Sequence, residues 1–266
     1  MDHKITVVGA GNVGATAAER IAHTDLADVV MIDINADLAK GKALDMMESA
    51  PVIGFSAHVT GGDDYALTAG SDVCIVTAGI ARKPGMSRDD LLRTNTDIVR
   101  SCVTELVKHS PNTILIIVSN PLDAMCEVAR RASGFPRERV LGMAGVLDAA
   151  RMRFFIAEAL GASVQDIDAF VLGGHGDTMV PLPRFATVNG IPLPTMLPAE
   201  TIEAINQRTR TGGIEIVNYY KTGSAYYAPA AATYQMVDAI LGDRHEILPC
   251  AALLQGHYGT NDLFVG

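Results

Sequence analysis

The sequence predicts an α/β chain in which a doubly wound parallel sheet is followed by a second, α+β region. Three observations lead there. Through the first half, short apolar runs alternate with stretches of helical periodicity, the rhythm of parallel strands joined by crossover helices. The first of those runs ends in a glycine-rich turn, Gly9-Ala10-Gly11-Asn12-Val13-Gly14. Near Asp148 the rhythm changes, and Pro181, Pro183, Pro192, Pro194 and Pro198 mark the stretch that follows, which predicts extended pieces and turns.

Residues 5–8 are largely apolar and stop at glycine, so they read as a buried strand. A helix over 12–23 and a second strand over 29–32 follow. Further strands are expected at 58–60, 73–77, 114–118 and 140–141, with helices at 36–48, 89–109 and 123–132 between them. Six strands in this order suit a Rossmann sheet. Beyond it, 148–160 reads as a helix and 167–172 as a strand feeding Gly173-Gly174-His175-Gly176-Asp177. Helices are expected again over 199–220 and 228–241. The predicted domains are 1–145, for nucleotide binding, and 146–266, for catalysis.

Composition narrows the function classes. With 48% hydrophobic and 19% charged residues among 266, the chain is that of a folded globular protein. Its balance of 21 basic against 30 acidic residues, net −9, makes nucleic acid a poor partner. No apolar run reaches spanning length and no leader is read at the start, so no membrane partner and a cytoplasmic location are expected. Cys74, Cys102, Cys126 and Cys250 are scattered, as free thiols of a reducing compartment are. No His/Cys cluster has ligand spacing, so no metal is expected.

The glycine turn matches G-x-G-x-x-G, follows a strand, opens a helix, and has Asp33 at the end of the next strand. Gly9 permits the tight turn, Gly11 lets the backbone reach a pyrophosphate, and Gly14 allows helix and strand to pack closely. The helix N-terminus offers unpaired N–H groups to the phosphates. Asp33 suits both ribose hydroxyls and repels a 2′-phosphate, which favours NAD; a turn-capping role is the competing reading. Thr77-Ala78-Gly79 ends a later strand and gives a second place for close backbone approach.

The combination GAGNVG, Asp33, TAGIARKPGMSR, SNPLDAM, VLDAAR and GGHGD resembles the lactate/malate dehydrogenase superfamily. It is most similar to the lactate-dehydrogenase-like malate dehydrogenases of bacteria and archaea. The resemblance implies an NAD-dependent oxidoreductase of the tricarboxylic acid cycle that interconverts malate and oxaloacetate, assembled as a homotetramer, a dimer of dimers. His175 matches the imidazole that exchanges a proton with the substrate oxygen. Asp148 matches the carboxylate that fixes its tautomer and favours the imidazolium. Arg151 matches the two-pronged partner of the substrate C1 carboxylate, a role that suits a planar guanidinium.

The resemblance also makes 81–88 a mobile loop. In it Arg88 polarises the reacting carbonyl, which removes the need for a Lewis acid. Arg82 falls where malate enzymes carry arginine and lactate enzymes glutamine. Oxaloacetate brings a second carboxylate, whose desolvation without a cation costs several kcal/mol. Lys83 reads as a solvated loop charge. Asn120 matches an asparagine that contacts both substrate and cofactor, and Ser224 a pocket-wall position. The remaining cofactor positions implied are Asn12, Val13, Asn95 and Val118. Met143 stands where many relatives carry glutamine. The family usually continues with a further C-terminal strand and long helix; the expectation is either a truncated or incomplete form or a shortened variant covered by another subunit, and in both cases uncovered apolar area. Two competing readings remain: a dehydrogenase of lactate or another 2-hydroxy acid, against which Arg82 argues, and a nucleotide-binding form without turnover.

Overall fold

The computed structural model describes residues 1–80, 87–176 and 178–266, without the side chain of Arg88. The chain divides into two compact units, one of Met1–Gly142 with Tyr226–Glu246, the other of Met143–Ala225 with Ile247–Gly266.

The first unit is built on six parallel strands: β1 (Lys4–Val8), β2 (Asp28–Ile32), β3 (Val59–Gly62), β4 (Val73–Val76), β5 (Ile114–Ile117) and β6 (Val140–Gly142). Their spatial order is β3-β2-β1-β4-β5-β6, the doubly wound arrangement that places a ligand crevice at the carboxyl ends of β1 and β4, where the order reverses. Ile5, Val7, Met31, Ile75 and Ile116 are fully buried, as a sheet covered on both faces requires. Between the strands run α1 (Asn12–His23), α2 (Ala36–Ile53), α3 (Arg88–His109) and α4 (Leu122–Ser133).

Each helix has a local cause. On α1 the buried face is Gly14, Ala15, Ala17, Ala18, Ile21 and Ala22, mostly small residues that let the helix lie close to the sheet. The Asn35 side chain accepts a hydrogen bond from the Leu38 N–H and starts α2. That helix runs past the expected end at 48, through Pro51, to Gly54 in the left-handed region. Ser87 and Asp90 form a reciprocal capping box at the start of α3. Leu122, Met125, Cys126 and Ala129 supply the buried stripe of α4 at helical spacing.

The second unit contains α5 (Gly145–Leu160) and α6 (Ala199–Tyr220) with short strands β7 (Ile167–Asp168), β8 (Val171–Gly173), β9 (Met179–Pro181), β10 (Thr187–Val188) and β11 (Ile191–Pro192). The expected strand over 167–172 is two strands serving different sheets: β7 pairs with β10, and β8 with β9. Ala169 and Phe170 make the switch. Met152, Ile156, Ile167, Ala186 and Leu193 are at the centre of this unit's core.

Two parts of the fold go beyond the sequence reading. The helix α7 (Tyr227–Leu241) packs on α1 and belongs to the first unit, an arrangement that a single boundary after residue 145 does not express. A hairpin of β12 (Ala252–Gln255) and β13 (Asn261–Val265) belongs to the second unit.

Candidate active site

In the first unit the carboxyl ends of β1, β2 and β4 surround a cleft of about 660 Å³. Gly9, Gly11, Asn12, Val13 and Gly14 form one side, Thr77, Ala78, Gly79 and Ile80 another, and Asp33 with Ile34 a third. The glycines are there for space. Gly9 has φ +103°, and a Cβ on it would stand 2.6 Å from the Thr77 hydroxyl; on Gly14 a Cβ would stand 1.9 Å from the Gly9 carbonyl oxygen. A Cβ on Gly11 would meet nothing within 4 Å, so that position is open toward the cleft. Gly11 also precedes the first turn of α1 without a side-chain cap, leaving backbone N–H groups for an anion.

Asp33 makes the turn contacts that its competing reading expects. Its carboxylate accepts the Ala10 N–H at 2.7 Å and the Asn35 N–H at 2.9 Å, which ties the glycine turn to the end of β2. Its place in the cleft wall leaves further lone pairs for hydroxyl donors. Ile34, a fully exposed aliphatic side chain, lines the same wall and suits one face of a flat ring. The residues fit NAD: an open backbone cradle for phosphates, an acid for a diol, apolar walls for the bases.

Asn95 braces the strand ends beside the cleft. It is buried, accepts from the Ile80 N–H at 2.8 Å, and donates to the Ile80 and Asn120 carbonyls at 3.1 and 2.6 Å. Its amide thus fastens the ends of β4 and β5 together. Val118 is buried, with its N–H bonded to the Val76 carbonyl, and Asn120 is exposed beyond β5. The sequence reading missed Asp63, Tyr65, Ile98 and Cys102, which also line the cleft. Asp63 and Tyr65 follow β3, and the rule that ligands sit beyond the strands' carboxyl ends would have found them. Burial pushes the Cys102 thiol up, against the opposing contact with Tyr65.

In the second unit α5 begins at Gly145, so Asp148 and Arg151 both lie on it. Asp148 is 2% exposed. One oxygen stands 2.9 Å from His175 Nδ1 and the other accepts from Arg151 Nη1 at 3.2 Å. A buried carboxylate between two such partners aims both. His175 follows β8, on the turn that leads into β9. Burial pulls the Arg151 guanidinium below its ordinary value, while Asp148 acts in the opposite direction. Its Nε is buried without a hydrogen-bond partner among the described residues, so an incoming anion would satisfy a donor that the fold leaves unpaired.

Met143 is buried and Ser224 is exposed in the turn after α6. Arg88 is the first residue of α3. Arg82, Lys83 and Asp177 lie outside the described residues.

Comparison with known proteins bears on this geometry. The model for the lactate/malate dehydrogenase NAD-binding domain matches residues 3–142, and that for the family's alpha/beta C-terminal domain matches 145–266. A malate dehydrogenase of Chloroherpeton thalassium is 60% identical over 264 residues, covering 99% of this chain and 85% of the relative. The structure of the Salinibacter ruber malate dehydrogenase is 55% identical with a TM-score of 0.94, covering 99% of this chain and 84% of that one. A Cryptosporidium parvum lactate dehydrogenase, solved with lactic acid and NAD, is 40% identical with a TM-score of 0.95, covering 99% and 85%. Malate and lactate enzymes thus share this fold, and side chains must separate them.

Proposed function

The chain belongs to the lactate/malate dehydrogenase family, and from that premise we propose that it interconverts (S)-malate and oxaloacetate with NAD. The observation that carries the proposal is the His175–Asp148–Arg151 cluster on α5 and the turn after β8. It joins a proton carrier, its orienting acid and an anion clamp. NAD, when bound, supplies the hydride acceptor for malate oxidation, and NADH the donor in reverse.

The residues do the rest. Asp148 accepts from Nδ1–H of His175 and so leaves Nε2 as the basic nitrogen of the neutral ring. In malate oxidation Nε2 takes the hydroxyl proton as the hydride leaves C2; in oxaloacetate reduction the imidazolium returns it. Asp148 stabilises that cation without itself taking the proton. Arg151 fixes the C1 carboxylate, Arg88 polarises the C2 oxygen, and Arg82 pairs with the second carboxylate. Excluding water strengthens each of these charge interactions. Asn120 and Ser224 complete the substrate contacts. Asn12, Val13, Asn95, Val118 and the backbone at 77–79 serve the cofactor, and Asn95 also braces Ile80 and Asn120.

The reading extends to a cytoplasmic homotetramer built as a dimer of dimers. Among the described residues Cys74, Cys102, Cys126 and Cys250 form no disulfide, which suits a reducing compartment. Leu44, Val52 and Ile53 on α2, and Ile214, Val217 and Tyr219 on α6, are exposed apolar side chains of the kind subunit contacts cover. No helix of the described residues is long and apolar enough to cross a membrane.

Steady-state kinetics with His175→Asn tests the mechanism. The expected loss in turnover is about 10²–10⁴, the scale of general acid–base catalysis, with NADH affinity kept. Near-normal turnover removes His175 from the chemistry.

A further inference from the structure

We propose that Gly212 and Gly213, in the middle of α6, are positioning residues that set where the Arg151 guanidinium sits. The inference rests on the reading that Arg151 holds the substrate carboxylate, and it adds the element that determines where that clamp stands.

Two consecutive glycines inside a 22-residue helix are the least favourable choice short of proline. Neither has a positive φ, so the backbone there is one that any residue adopts. The glycines are therefore not needed for conformation. What a side chain would meet gives the reason. A Cβ on Gly212 would lie 3.1 Å from Arg151 Cδ, 3.4 Å from Nε and 3.9 Å from Cγ. On Gly213 it would lie 3.6 Å from Nη2 and 4.0 Å from Nη1. Every one of these neighbours is an atom of Arg151; none belongs to the backbone of α5. The bare helix is a floor along which the arginine lies from stem to fork.

The other side of the guanidinium is fixed as well. Nη1 donates to Asp148 Oδ1 at 3.2 Å, and the second oxygen of that carboxylate holds His175 Nδ1 at 2.9 Å. A methyl group at 212 is closer to the arginine stem than ordinary contact allows. Arg151 must then move by a few tenths of an ångström or loosen its bond to Asp148. A two-pronged carboxylate pair tolerates little of either, because both N–H bonds must align at once.

The test is a kinetic double-mutant cycle on oxaloacetate reduction, with NADH binding measured in parallel. Gly212→Ala is expected to raise KM for oxaloacetate about tenfold while NADH affinity stays within about twofold. Arg151→Ala raises KM further, and adding Gly212→Ala to it changes nothing more, because the displaced group is gone. If Gly212→Ala leaves KM unchanged while Arg151→Ala raises it, the glycines do not position the clamp. If the two losses multiply, Gly212 acts by loosening the unit and the inference is overturned. If Arg151→Ala keeps a normal KM, the reading of Arg151 itself fails, a distinct result. Should Gly212→Ala not fold, Gly213→Ala carries the same cycle, with a smaller rise expected from its longer contacts.

Discussion

Gly11 and Gly14 belong to one motif, yet alanine at each should fail in opposite ways. A Cβ at position 14 would stand 1.9 Å from the Gly9 carbonyl oxygen and 2.9 Å from the Thr77 hydroxyl. The first of these is backbone and cannot rotate away. Overpacking of this kind costs about 1–3 kcal/mol or more, and the upper figure corresponds to a Tm lowered by roughly 6–12 °C for a unit of this size. At position 11 the backbone is at φ −67°, ψ −171°, open to any L residue, with no atom within 4 Å of the added methyl. The poorer N-cap propensity of alanine, about 0.5 kcal/mol or more, is offset by the reduced freedom of the unfolded chain, about 0.4–1 kcal/mol. Stability should hardly change. The methyl instead occupies the approach to the cofactor phosphates, where one lost charge-assisted hydrogen bond, about 1.5–3 kcal/mol, weakens binding roughly 10- to 100-fold. Thermal unfolding and NADH fluorescence titration measure both quantities. A Gly11→Ala protein with undiminished NADH affinity, or a Gly14→Ala protein with unchanged Tm, refutes the assignment of space at these two positions.

Asp148→Asn removes the charge between His175 and Arg151 while keeping shape. Turnover should fall by about 10²–10⁴, KM for oxaloacetate should rise, and urea unfolding should show a loss of about 3–5 kcal/mol, the cost of breaking a buried pair; unaltered kinetics would separate this acid from the reaction. Arg82→Gln should shift preference from oxaloacetate toward pyruvate, as a ratio of kcat/KM values, because the cation proposed to answer the second carboxylate is lost. An unchanged ratio assigns selectivity to another residue.

Where the sequence was legible, local signals and tertiary packing agree. The helices α1 and α6 were read to the residue, since apolar periodicity, glycine and proline punctuate both. The six-strand sheet followed from its rhythm, and His175, Asp148 and Arg151 from motifs whose side chains the structure brings together. Non-local effects were harder to read. Nothing local in residues 167–172 reveals that Ile167 pairs with Val188 while Leu172 pairs with Val180. The return of α7 to the first unit is decided by its packing on α1, a contact across most of the chain. Asn95 was read as a cofactor contact, and motif position does not reveal that its amide also joins Ile80 to Asn120. The glycine pair at 212 and 213 looks like a flaw in a helix until Arg151 is seen lying against it.

The His175–Asp148–Arg151 cluster is proposed to serve a dicarboxylic 2-oxo acid. The most direct measurement compares kcat/KM for oxaloacetate and pyruvate, with NADH, in the unmodified protein. Oxaloacetate should lead by about 100-fold or more, since pyruvate offers no second carboxylate to the cation proposed at Arg82, and an unpaired charge in a water-excluded site costs several kcal/mol. Faster reduction of pyruvate, or NADH binding with no reduction of either acid, would contradict it.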